Sequence, residues 1–120
     1  ISQRLAHIFK NLCRIIETYK PELVAIEEVF VNLNAKSSLS LGFARGAILT
    51  SVGYCNLDFV EFSPNKIKKT IVGNGKADKE QVMKMLKFVI PNAEFKTSDE
   101  ADAIAIAYTA IVSRLFINQK

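Results

Sequence analysis

The chain has 120 residues and a mass of 13.4 kDa, which suffices for one apolar core and argues against several domains. Apolar residues make up 49% of the sequence and charged residues 23%, which excludes a disordered or fibrous protein. No run of 18 apolar residues and no signal peptide are present, so we expect a cytoplasmic protein with no membrane association. Two cysteines 42 residues apart and a single histidine argue against a disulfide scaffold and against Cys/His metal sites.

The excess positive charge is confined to one quarter of the chain. The net charge is +4, and residues 61–90 contain seven lysines against three acidic residues, whereas the two kinds are equal in number elsewhere. Such a cluster is typical of a surface that binds a phosphate backbone. A solvated lysine face that only keeps the protein soluble would have the same composition, and charge alone does not separate the two interpretations.

The N-terminal half predicts a helix, a strand and a second helix. Apolar residues at helical spacing predict a helix over residues 2–19, capped by Ser2 and ended by Pro21. The apolar, β-branched run LVAIEEVF predicts a buried strand over residues 23–30. A polar loop then leads to a helix over residues 38–53.

The C-terminal half predicts one strand followed by three helices. The strand covers residues 57–62, and Ser63 then caps a short helix that begins with a proline. After a glycine-bearing loop, Asp78 begins a helix with a pattern that resembles a capping box. The last helix is predicted over residues 98–116.

This order of elements predicts an α/β fold with parallel strands and helices on the faces of the sheet. Two strands are too few to cover the apolar surface of the helices. We therefore expect that a strand pairing with residues 23–30 is missing from this sequence.

Two acidic residues interrupt the first predicted strand. Side chains alternate along a strand, so Glu27 and Glu28 point to opposite sides of the sheet. A carboxylate on a packed side needs compensation, and a divalent cation is the commonest source of it. Alternatively the strand ends at Ile26, and both glutamates are solvated.

Three acidic residues open the last predicted helix. Asp99 and Asp102 lie roughly 60° apart around the helix axis, on one side, and Glu100 points away from them. Glu100 fits a capping box with Thr97, which is a sufficient structural role for it. Any acid in the first turn of a helix is also stabilised by the helix dipole, which is a sufficient structural role for Asp99 and Asp102. A D-x-x-D pair together with a strand acid also suits Mg²⁺ or Mn²⁺, and two such ions can cleave a phosphodiester.

Four motifs resemble the RuvC-type Holliday junction resolvase family. They match in order and spacing over nearly the whole chain. They are A-I-E-x-V-F at 25–30, L-G-x-A-R-G at 41–46, K-x-x-V-G-x-G-x-A-x-K at 69–79, and D-E-A-D-A-I-A-I-A at 99–107.

The resemblance implies an RNase H-like fold, a mixed sheet flanked by helices, in a homodimer that nicks four-way DNA junctions symmetrically during recombination and repair. It implies Mg²⁺, for which Mn²⁺ can substitute, and a partner complex of the RuvA/RuvB branch-migration type. The family's strand glutamate falls on Glu27, and its two C-terminal acids fall on Asp99 and Asp102. These three residues are therefore the expected catalytic and metal-binding set.

The resemblance also places DNA-contacting residues. The aromatic residue set against bases near the crossover falls on Phe30, and two phosphate-contacting lysines fall on Lys68 and Lys79. The loop residues themselves suggest that Lys76 also reaches a phosphate, although a plain turn is an equal alternative.

One departure from the family is large. Its opening strand bears G-I-D-P-G, whose aspartate is the fourth catalytic carboxylate, and this motif does not occur here. The resemblance therefore implies that residues 1–120 form a single nuclease domain without its first three strands, with three of four metal ligands and with little activity alone. The alternatives are a DNA-binding or assembly module without catalysis, and an RNase H-like nuclease that acts on RNA.

Overall fold

The computed structural model describes residues 1–28 and 35–118. Within these residues the elements follow the predicted order, and the α/β prediction is confirmed. The elements are α1 (Ser2–Tyr19), β1 (Leu23–Glu27), α2 (Ala35–Tyr54), β2 (Asp58–Phe62), α3 (Pro64–Val72), α4 (Lys79–Val89) and α5 (Ser98–Asn118).

The first compact unit is formed by residues 1–24 and the described part of 29–60. It is built on the packing of α1 against α2, in which the rings of Phe9 and Tyr54 meet edge to face at 5.4 Å between centroids. Both cysteines are free thiols. The predicted cap of α1 is wrong, because Ser2 is already helical and Ile1 takes the cap position without a side-chain hydrogen bond.

The second compact unit is formed by residues 25–28 and the described part of 61–120. Its core is made where α3, α4 and α5 meet, around the fully buried Leu86. Both predicted helix starts are confirmed. The Ser63 hydroxyl accepts the amide of Lys66 at 3.1 Å, and Asp78 forms a complete capping box with Gln81. The buried core residues besides Leu86 are Ile67, Ile71, Ala101 and Ala105.

The strands β1 and β2 pair in parallel in a two-stranded sheet. The amide of Glu28 donates to the carbonyl of Phe62 at 2.9 Å, so strand-like pairing continues past the last residue of β1. The alternative in which the strand ends at Ile26 is therefore wrong in its bounds, although Glu27 and Glu28 are both exposed, as that alternative expects. Residues 29 and 30 of the predicted strand lie outside the described residues.

Element bounds differ from prediction mainly at α2, which begins at residue 35 and not at 38. Alanine and lysine at positions 35 and 36 favour helix and extend it toward the N-terminus. Across residues 1–28 and 35–118, none of the helices has both the length and the apolar character needed to cross a bilayer.

Candidate active site

A cavity of about 320 Å³ in the second unit collects charged residues from four separate segments. Its floor is apolar and includes Ile67, Val82 and Ala105, which belong to the helices that build the core. The charged groups around this floor stay open to water: Glu27, Asp78 and Lys79 are exposed, and Lys68 and Asp102 are partly exposed. The charged residues that line it are Glu27, Lys68, Asp78, Lys79 and Asp102.

Local structure sets the position of each charged group. Glu27 is the last residue of β1, and the hydrogen bond of the next amide to Phe62 holds its backbone in strand conformation. Lys79 is the first residue of α4, whose start is fixed by two reciprocal 2.9 Å hydrogen bonds between Asp78 and Gln81. Asp102 lies on α5, just after the first turn. The cavity thus gathers the ends of three elements.

Four of the charged groups act on one another. Lys79 Nζ lies 3.6 Å from Asp102 Oδ2, and both side chains are about half exposed. Desolvation and then the negative charge of Asp102 raise the pKa of Glu27, and the opposing positive charges of Lys79 and Lys68 only partly offset these effects. Glu27 and Asp102 therefore repel each other across the cavity, and two lysines partly relieve that repulsion.

This repulsion gives an expected pH dependence of stability. A raised pKa means that the folded state disfavours the charged carboxylate, so Glu27 destabilises the metal-free protein when ionised, and stability is regained as the pH falls through the raised value. Glu27→Gln should raise the thermal midpoint in EDTA at pH 7 by roughly 1–2 °C. The gain should disappear below pH 4.5, the ordinary glutamate value.

The measurement is a thermal melt of both proteins from pH 4 to pH 8. Glu28→Gln is the matched control, because alternation along the strand turns that side chain to the other side. An equal rise in both variants, or a rise that does not depend on pH, would contradict the interpretation.

The three acids at the start of α5 have separate positions. Glu100 has the capping role that the sequence predicts: its amide donates to Thr97 Oγ1 at 3.1 Å and its carboxylate accepts the amide of Lys96 at 2.8 Å. Asp102 lines the cavity. Asp99 is exposed in the first turn of α5 and is not among the lining residues.

The donor set suits a hard divalent cation. Carboxylate oxygens are the preferred ligands of such ions, and a cation between Glu27 and Asp102 would remove the repulsion that raises the pKa of Glu27. In the described part of the chain, no three acidic, histidine or cysteine side chains already form a cluster able to hold a metal. Two of the three predicted ligands thus share the cavity, and Asp99 stands one turn away.

Of the predicted DNA-contacting residues, some line the cavity and others do not. Lys68 and Lys79 line the cavity beside the carboxylates. Lys76 is exposed in the loop before α4, where its amide donates to Asn74 Oδ1 at 2.9 Å, and it is not a lining residue. Phe30 lies outside the described residues.

Two features of the site were missed by sequence reasoning. One is Asp78, which was identified only as a helix cap and also lines the cavity. The other is the ion pair between Lys79 and Asp102. The only signal in the sequence for this ion pair was the density of lysines around residue 79, and that density does not identify Asp102, 23 residues later, as the acidic partner.

Comparison with known proteins agrees with the expected family. The family model described as crossover junction endodeoxyribonuclease RuvC matches residues 1–110. The protein of that name from Rickettsia akari is 52% identical over 116 residues, which are 96% of this chain and 74% of the relative. The one from Rickettsia massiliae is 50% identical over 115 residues, 95% of this chain and 73% of the relative.

Solved structures give the same result. RuvC from Thermus thermophilus superposes with a TM-score of 0.83 and 29% identity, over 94% of this chain and 69% of that one. A structure of T. thermophilus RuvC in complex with a Holliday junction substrate superposes with a TM-score of 0.86 and 30% identity, over 94% and 70%. The RNase H-like fold is thereby confirmed. The chain belongs to the crossover junction endodeoxyribonuclease RuvC family.

Proposed function

We propose that the protein is a structure-selective endonuclease that resolves four-way DNA junctions by metal-dependent hydrolysis of phosphodiesters, in DNA recombination and repair. The observation that carries the proposal is the cavity in which Glu27 and Asp102 stand beside Lys68 and Lys79. Acids alone would suit a cation, and lysines alone would suit a phosphate. Their presence in one cavity suits a phosphodiester and an activating ion together.

The ion is Mg²⁺ in this proposal, with Mn²⁺ as a substitute, and its ligands are Glu27, Asp99 and Asp102. Such an ion supplies Lewis-acid activation of the phosphodiester and of the attacking water. The three carboxylates would supply the oxygen ligands that hold that ion. Lys68 and Lys79 bind the non-bridging phosphate oxygens and hold the phosphodiester for in-line attack, which leaves a 5′-phosphate and a 3′-hydroxyl.

Contacts beyond the cavity extend the DNA interface. Lys76 binds a neighbouring phosphate from its loop, and Phe30 stacks on or wedges apart bases at the branch point. We also propose a homodimer, a cytoplasmic location, and an association with a branch-migration complex. The assignment of residues 1–120 to one nuclease domain stays a prediction.

The lysines give a test of the DNA interface. Lys68→Met should weaken junction binding and reduce the salt slope of log K by about 0.9, because one fewer counterion is released. Lys84→Met, which removes an exposed lysine of α4 away from the cavity, is the matched control. The measurement is a salt titration of junction affinity in the presence of Ca²⁺. Equal slopes for the two variants would contradict a phosphate-binding role for Lys68.

The alternatives to junction resolution are separated by a substrate comparison. The full-length enzyme is assayed with Mg²⁺ on a four-way junction, a linear duplex of the same sequence, and a structured RNA. We expect paired nicks at the branch point of the junction only. Binding of the junction without nicks would favour a non-catalytic module, and faster cleavage of the RNA would favour a ribonuclease.

A further inference from the structure

The backbone of Lys79 is fixed at the start of α4, and its long side chain extends to the cavity. As the first residue of α4 it follows Asp78, whose carboxylate accepts the amide of Gln81 while its own amide donates to Gln81 Oε1, both at 2.9 Å. The helix start is therefore held from two directions. From this fixed start, its four-methylene side chain places the ammonium at the cavity, 3.6 Å from Asp102 Oδ2.

The ion pair of Lys79 with Asp102 is weak, and it lies at a proposed metal ligand. Its 3.6 Å separation is long for a charge-assisted hydrogen bond, and the two side chains are 60% and 48% exposed. Pairs this open to water are screened and exchange readily. Since Asp102 is also a proposed ligand, the ammonium stands beside a carboxylate that a divalent cation would need.

Lys79 also acts on the second carboxylate of the cavity. Glu27 and Asp102 line the same cavity as Lys79, so the positive charge of the ammonium acts on two carboxylates of like charge. The ammonium therefore relieves the same repulsion that a bound divalent cation would relieve. Lysine and divalent cation cannot both occupy the space near Asp102 without repelling each other.

We propose that Lys79 is a placeholder cation: it pairs with Asp102 in the metal-free protein, and binding of a divalent cation displaces its ammonium toward the phosphate of the bound DNA. This inference rests on the proposed function, because it takes Asp102 as a metal ligand. It makes Lys79 a competitor of the metal for Asp102 in the absence of DNA and a phosphate contact once DNA is bound. Since coupling is reciprocal, metal binding and the phosphate contact of Lys79 should strengthen each other.

The test measures Mn²⁺ affinity of the full-length enzyme without DNA, by electron paramagnetic resonance of free Mn²⁺. Loss of a competing, exposed ion pair should make Lys79→Met bind Mn²⁺ roughly two- to five-fold more tightly than wild type. Lys79→Arg keeps the pair and should stay near the wild-type affinity. Lys68→Met removes an equal charge from the same cavity and leaves the Lys79–Asp102 pair in place, so it should have the smaller effect.

A second readout uses junction affinity with and without Ca²⁺. The stabilising effect of Ca²⁺ on junction binding should be smaller in Lys79→Met than in Lys68→Met. Unchanged Mn²⁺ affinity in Lys79→Met, or equal gains in affinity in both methionine variants, would overturn the placeholder role. If Asp102→Asn still weakened Mn²⁺ binding in that case, the proposed metal site itself would stand. If neither Asp102→Asn nor Glu27→Gln weakened Mn²⁺ binding, the metal site and the placeholder role would both be overturned.

Discussion

Glu27→Gln is expected to reduce junction cleavage by the full-length enzyme at least about a thousand-fold while leaving junction affinity within a few-fold of wild type. Lewis-acid activation by a bound ion supplies several kcal/mol of transition-state stabilisation, and each 1.36 kcal/mol is a factor of ten in rate. The amide keeps the size of the side chain and removes the charge that the cation needs. Because the lysines still bind the phosphates, affinity for DNA should survive.

The measurement is single-turnover cleavage of a labelled four-way junction in Mg²⁺, beside a binding titration of the same variant. Glu28→Gln is the matched control, since the neighbouring glutamate points to the opposite side of the strand. Cleavage by Glu27→Gln at the wild-type rate would show that the carboxylate is not part of the catalytic centre. Loss of activity in both variants would indicate a folding defect.

The second large effect is expected at the start of α5. Asp102→Asn should reduce cleavage at least about a thousand-fold, because it removes the carboxylate that faces Glu27 in the cavity. Asp99→Asn should also reduce cleavage strongly, because it removes the third proposed ligand of the ion. Both variants should bind Mn²⁺ more weakly than wild type.

Glu100→Gln is the internal control for the two aspartate variants. Its carboxylate accepts the amide of Lys96 and contributes only to the helix start, so cleavage should stay within about two-fold of wild type and stability should fall by up to about 1 kcal/mol. The rates are measured under single-turnover conditions, with circular dichroism to confirm folding. A large loss of cleavage in Glu100→Gln, or none in Asp102→Asn, would contradict the division of roles on α5.

Local physics made much of the fold predictable. The start of α4 depends on residues within four positions of one another, so Asp78 could be recognised as a cap without any tertiary information. The same holds for Glu100, whose partners are the adjacent Lys96 and Thr97. The cap of α1 was wrong because Ile1 precedes Ser2 and takes the cap position, a shift of one residue at a chain end.

The site was less predictable because it depends on long-range packing. Lys68 on α3, Lys79 on α4 and Asp102 on α5 meet only because these helices pack around Leu86. Helical spacing placed Asp99 and Asp102 on one side of α5, but it could not indicate that only Asp102 lines the cavity. The family resemblance supplied the roles of Lys68 and Lys79, which charge density alone left open.

The central claim is that Glu27 and the Asp99–Asp102 pair bind one divalent cation beside Lys68 and Lys79. The most direct measurement is anomalous scattering from a crystal of the full-length enzyme soaked in Mn²⁺. We expect a peak with carboxylate oxygens of Glu27 and Asp102 at about 2.1 Å, and with Asp99 in the coordination sphere directly or through water. A peak elsewhere, or one that leaves Glu27 without contact to the ion, would contradict the claim.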